Sequence, residues 1–85
     1  MDADNLLDEL EGESYDTAGE AMAVLALAVQ AINRELDEQE PDEGRIRELV
    51  QRLHEAARKV ADKFNARGFS ISVGFPLGVS VSVDW

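Results

Sequence analysis

The sequence predicts an α+β fold in the order α-α-β-β: an antiparallel pair of helices, then a C-terminal two-stranded β-hairpin, behind a disordered acidic tail. Three observations predict it. "TAGE" at 17–20 is a helix-capping box and opens a stretch rich in apolar residues. From Ile46 to Phe64 apolar residues recur three and four apart, the spacing of one helix face. The closing "FSISVGFPLGVSVSVDW" alternates apolar with small residues in two arms around Pro76-Leu77-Gly78.

Residues 1–16, "MDADNLLDELEGESYD", are acidic with little to bury, which predicts a mobile tail preceding a single domain over 17–85. Within it, "NLLDEL" has the pattern of one or two helical turns with Leu6, Leu7 and Leu10 on one side. Asp4, Leu6, Leu7 and Leu10 form a D-x-L-L-x-x-L string that resembles in form the leucine-aspartate motifs of adaptor proteins. Ala3 stands where that pattern has its leading leucine. The resemblance covers seven residues and implies a tail that recruits a protein partner by docking as a helix.

The Thr17 hydroxyl is placed to accept from the amide of Glu20, and Glu20 to reach back toward Thr17. The helix this starts is expected to run to about Glu38. At 100° per residue, Ala18, Ala21, Met22, Leu25, Val29, Ile32 and Leu36 gather on one face. Leu27 lies nearly opposite, flanked by Ala23, Val24 and Ala31. A helix apolar most of the way round is covered most of the way round. The Leu27 side is therefore expected to meet the β-hairpin or a second copy of the chain.

"EQEPDEG" stops this helix and starts the next, with Pro41 in the first turn and Asp42 and Glu43 at the positive end of the dipole. The second helix is expected to reach about Ala66. Ile46, Leu49, Val50, Leu53, Ala56, Ala57, Val60, Ala61 and Phe64 form a stripe suited to packing on one side. Gly68 is the expected left-handed residue after its end. Glu43, Glu48 and Glu55 each precede a base by four residues, the stabilising order. Arg45, Arg52, Lys59 and Lys63 line one flank; the interspersed Glu48, Glu55 and Asp62 and the net charge favour a solvated face over a ridge for a phosphate backbone, and the flank is also a seat for the acidic tail, in cis or from a neighbour.

In the hairpin, a three-residue loop of Pro76, Leu77 and a left-handed Gly78 sets Phe75 opposite Val79, Val73 opposite Val81, Ile71 opposite Val83 and Phe69 opposite Trp85. All eight apolar side chains then share one face. A lone hairpin is marginal in water, so that face is expected to rest on the helices. The other face holds Ser70, Ser72, Gly74, Ser80, Ser82 and Asp84. It lacks the Lys, Arg and Pro that usually guard strand edges. This face is either a plain solvated surface or a site of assembly, through pairing of strand edges between two copies, addition of a partner's strand, or close packing of its small residues.

The composition narrows the function classes. Eighty-five residues without cysteine exclude a disulfide staple and thiolate metal sites, and leave a second subunit as the expected source of extra stability. Net charge is −10. Residues 1–44 hold fourteen acids and one base, Arg34; residues 45–85 hold seven bases and four acids. Such a balance disfavours nucleic acid and anionic membrane as partners. The acidic start does not fit a secretory signal, and the expected location is cytoplasmic. His54 is the sole histidine, and "HEAAR" places an arginine where a zinc protease needs its second ligand. The serines lack a base at useful spacing, so no enzyme and no cofactor is expected.

The leading expectation is a non-enzymatic interaction or assembly module, a homo-oligomer with a dimer favoured. Its contacts would come from Ala23, Val24, Leu27 and Ala31 or from Ser70, Ser72, Gly74, Ser80 and Ser82, with Asp4, Leu6, Leu7 and Leu10 recruiting a partner. The alternative is a membrane-active or self-assembling β-hairpin, although arms of about seven residues fall short of the 9–11 that span a bilayer.

Overall fold

A computed structural model describes residues 2–74 and 77–85. It has three helices, α1 (Ala3–Glu11), α2 (Ala18–Glu38) and α3 (Glu43–Lys63), followed by strands β1 (Gly68–Gly74) and β2 (Gly78–Asp84). They stack in three layers. The α2–α3 pair is the middle; α1 lies on one side, touching both helices, and the hairpin lies on the other. Among the described residues α1 touches neither strand. No described helix is long and apolar enough to cross a membrane.

The expected helix pair and hairpin are where the patterns put them. The segment expected as a disordered tail is different: it contains α1. Asp2 caps this helix, accepting from the Asn5 amide at 2.9 Å. Ala3, Leu6, Leu7 and Leu10 all enter the core, with Leu7 and Leu10 fully buried. The segment is acidic, but its acids sit on the opposite side from its leucines, so the helix is amphipathic. A nine-residue helix is too short to persist alone in water. Packing on α2 and α3 stabilises it.

α2 buries Ala21, Leu25, Ala28, Ile32 and Leu36, with Met22 and Val29 partly buried against the hairpin side. Thr17 caps it as expected, accepting from the Glu20 amide at 3.1 Å. Glu20 instead accepts from the Asp16 amide, one residue earlier than the capping box predicts. α3 buries Leu49, Leu53, Ala56, Ala57, Val60 and Ala61, the centre of the expected stripe. Its N-cap is Asp42, which accepts from the Arg45 amide, so Pro41 precedes the helix. It ends at Lys63, and Asn65 rather than Gly68 takes the left-handed turn, at φ 57°. Asn tolerates that region because its short polar side chain bonds locally. Gly68 is thereby released to start β1.

The hairpin pairs two residues away from the expected register. Gly68 faces Asp84, Phe69 Val83, Ile71 Val81, Val73 Val79 and Gly74 Gly78. A shift of two keeps every side chain on its expected face, because the pleat repeats every two residues. Residues 75–77 therefore connect the strands. Phe75 and Pro76 lie outside the described residues, as does Met1. Gly78, expected in the loop, instead starts β2 opposite Gly74. Trp85 falls beyond the last pair and is half exposed, not opposite Phe69.

Candidate interaction surfaces

The residues singled out in the sequence fall into three groups. The first is the α1 string. Leu6, Leu7 and Leu10 are 3%, 0% and 0% exposed. A partner that docks on them as a helix has to displace α1 from the core. Asp4 is tied down as well. Arg45 donates to both of its carboxylate oxygens, at 3.2 and 2.9 Å, and Arg52 donates to Oδ1 at 2.8 Å. Arg52 also reaches Asp8 at 2.8 Å and Glu11 at 3.0 Å. Lys59 donates to the Glu11 carbonyl at 2.9 Å. Three bases seven residues apart on α3 thus hold one flank of α1, in cis. The α3 charges pair accordingly: Arg52 serves α1 rather than Glu48, Glu48 bonds Arg45, and Glu55 bonds Arg58 rather than Lys59. Only the Glu43–Arg47 pair forms as the i,i+4 rule expects.

These contacts carry a pH consequence. The hydrogen bond from Arg45, helped by the charges of Arg45 and Arg52 and opposed by partial burial, holds the Asp4 carboxyl below its ordinary 3.8. Between the folded value and the unfolded one, the unfolded chain binds more protons. The stabilisation is therefore complete above 3.8 and is lost as pH falls through the lower folded value. Melting temperature is expected to drop on acidification through that window, and Asp4→Asn to flatten this part of the curve. An identical pH profile in Asp4→Asn would show that the bonds from Arg45 and Arg52 to Asp4 do not carry this dependence. Arg52 is pushed up chiefly by its bond to Glu11, and Arg45 chiefly by its bond to Glu35.

Tyr15 closes the α1–α2 connection from inside. It is buried against Phe64, rings 5.9 Å apart, with Lys63 Nζ 4.9 Å above its ring. Its hydroxyl is buried and unpartnered among the described residues. Burial first, and then the Glu13 charge, raises its pKa.

The second group is the Leu27 side of α2. Ala23 is exposed, Val24 and Ala31 are half-buried, and Leu27 is 49% exposed. β2 meets α2 on another side, at a cleft lined by Met22, Leu25, Ala26, Val29, Gln30, Ser80 and Val81. Leu6 of α1 instead borders Leu27 and Ala31 along a shallow cleft that Gln30 and Arg34 complete. The sequence missed this neighbour because it had set α1 aside as tail.

The third group is the hairpin. Ser70, Ser72, Gly74, Ser80 and Ser82 are exposed on the outer face, and Ser70 and Ser82 share a hydrogen bond at 3.0 Å. The two edges of this sheet differ. Asn33 of α2 grips Val79 of β2 from outside: the Val79 amide donates to Asn33 Oδ1 at 2.7 Å, and Asn33 Nδ2 donates to the Val79 carbonyl at 3.0 Å. The backbone groups of Val79 therefore point away from β1, so Val73 opposite it is a non-hydrogen-bonded pair. By alternation, Phe69, Ile71 and Val73 turn their amides and carbonyls to the free edge of β1. Among the described residues no side chain bonds them.

No known protein family, curated protein or solved structure matches this chain.

An open groove of about 620 Å³ lies along α3 and meets β1 at Val73. Ile46, Val50, His54 and Val73 line it together with Glu43, Arg47, Gln51 and Glu55. Val73 is 52% exposed there. His54 stands edge-on to Phe69, rings 5.1 Å apart. Among the described residues no cluster of three or more His, Cys, Asp or Glu gathers as metal ligands. No sequence rule singles out Asn33 as an edge clamp; a polar residue just beside the buried face of α2 is its only trace.

Proposed function

We propose that this chain is a non-enzymatic assembly module that self-associates through the free edge of β1. One observation carries the reading: the sheet's two edges are treated differently. Asn33 occupies the first outward position of β2, while β1 is uncharged over its whole length and its Val73 meets Ile46 and Val50 in a groove that also holds Glu43, Arg47 and Glu55. Edges of soluble proteins are ordinarily guarded by charge, proline or a covering element. An edge left bare beside apolar surface suits strand addition, where backbone bonds bring affinity and side-chain pockets bring specificity. Ser70 and Ser72, the exposed outer-face residues of β1, are small and leave that edge open to approach.

Light scattering on the full chain tests this. The expected mass is that of a dimer, and a monomer at every concentration would overturn the reading. Val73→Lys, which sets a charge at the edge, is expected to give a folded monomer. Leu27→Glu is expected to leave both the dimer and the melting temperature in place, within about 0.5 kcal/mol, since Leu27 is a half-exposed surface residue. Dissociation by Leu27→Glu, with Val73→Lys still dimeric, would move the interface to α2.

A further inference from the structure

Resting on that reading, we infer the register: the β1 strands of two copies pair antiparallel about a two-fold axis through Ile71, making one four-stranded sheet. β1 runs from residue 68 to 74, and Ile71 is its midpoint. A two-fold axis there pairs all seven residues; any other centre leaves part of the strand unpaired. Parity agrees. Ile71 is one of the three residues whose amide and carbonyl face outward, so it meets its symmetry mate as a hydrogen-bonded pair. Phe69 bonds Val73 of the partner subunit in the same way, and Val73 bonds the partner's Phe69.

The faces agree too. Odd-numbered residues of β1 point toward the helices, so the partner's Phe69 arrives beside Val73, where that residue meets the groove that Ile46, Val50 and His54 help line. That aromatic ring is the largest apolar side chain β1 offers, and it meets the most exposed apolar residue of the strand. On the outer face Ser70 meets Ser72 of the partner subunit, small against small, with no charge in either strand. Repulsion between two acidic chains is limited because the acids belong mainly to residues 1–44. The strand lies in the half that carries seven bases and four acids.

The absence of native cysteine gives a clean test. Ser70 and the partner's Ser72 form a non-hydrogen-bonded pair, with Cα atoms about 4.5 Å apart, inside the range a disulfide bridges. Ser70 and the partner's Ser70 are diagonal neighbours, about 7–8 Å apart, outside it. Ser70→Cys is mixed with ¹⁵N-labelled Ser72→Cys and oxidised mildly, and the products are weighed by mass spectrometry. Almost all of the crosslinked product is expected at the mixed mass, and neither variant alone is expected to crosslink efficiently. Crosslinking of either variant with itself would overturn the Ile71 centre. A dimer that yields no disulfide from any combination would show that assembly uses another surface. A chain monomeric throughout would overturn the assembly reading itself and leave the edge for a strand of a different protein.

Discussion

Removal of residues 1–16 is expected to abolish cooperative folding. The deletion takes Ala3, Leu6, Leu7, Leu10 and Tyr15 out of the core, all five buried. Fully burying a leucine-sized side chain is worth about 1.5–3 kcal/mol, so three leucines and a tyrosine together approach the whole stability of a small domain. At about 0.05–0.15 kcal/mol per residue, a chain of this length holds roughly 4–13 kcal/mol in total. The deletion also leaves Arg45, Arg52 and Lys59 without their α1 partners. A point variant isolates the packing. Leu7→Ala is expected to cost about 2–5 kcal/mol, and each kcal/mol lowers the melting temperature of a domain this size by about 4–8 °C. Thermal melts followed by circular dichroism read both. A truncated chain that melts within a few degrees of the full one would return the segment to the role of a tail.

That expectation differs from what the sequence suggests, and the difference has a physical source. Composition averages a segment, whereas packing depends on where its few apolar residues point. Residues 1–16 are acid-rich, yet Leu6, Leu7 and Leu10 fall on one side of a helix, three and four apart. The complementary signal was present elsewhere: Arg45, Arg52 and Lys59 repeat every seven residues on α3, matching Asp4, Asp8 and Glu11 along α1. Neither pattern alone distinguishes a seat from a solvated face. α2 and α3 were legible because each buries a long stripe with its own cap. The hairpin's faces were legible for a similar reason, since period-two alternation survives any even shift. Its register was not, because Gly78 serves a turn or a strand end equally well, and the structure uses it as a strand end. The small outer residues marked the sheet as approachable. The difference between its edges depends on Asn33, 46 residues from Val79, and no local pattern carries that contact.

Asn33→Ala is the second substitution expected to matter most, and its effect should appear in two measurements. The Asn33 side chain satisfies both backbone groups of Val79, which is 5% exposed, so its loss leaves a buried amide and carbonyl without partners. An orphaned buried polar group costs about 1–3 kcal/mol, and the loss should appear as a lower melting temperature and faster amide exchange at Val79. The same change opens the outer edge of β2, where Val81 and Val83 already face outward by alternation. With Asn33 on Val79, only Val81 and Val83 remain open along β2, so β1 is the one edge open over its whole length, and pairing through it closes as a dimer. A sheet with two free edges adds copies without limit, since the second edge generates an open array. The wild-type chain is therefore expected to hold a constant dimer mass as concentration rises. Asn33→Ala should pass beyond that mass, while Asn33→Ala combined with Val73→Lys stops again at a small closed species. An Asn33→Ala chain that is destabilised yet stays at the dimer mass would show that α2 itself, not the Asn33 clamp, keeps the β2 edge closed.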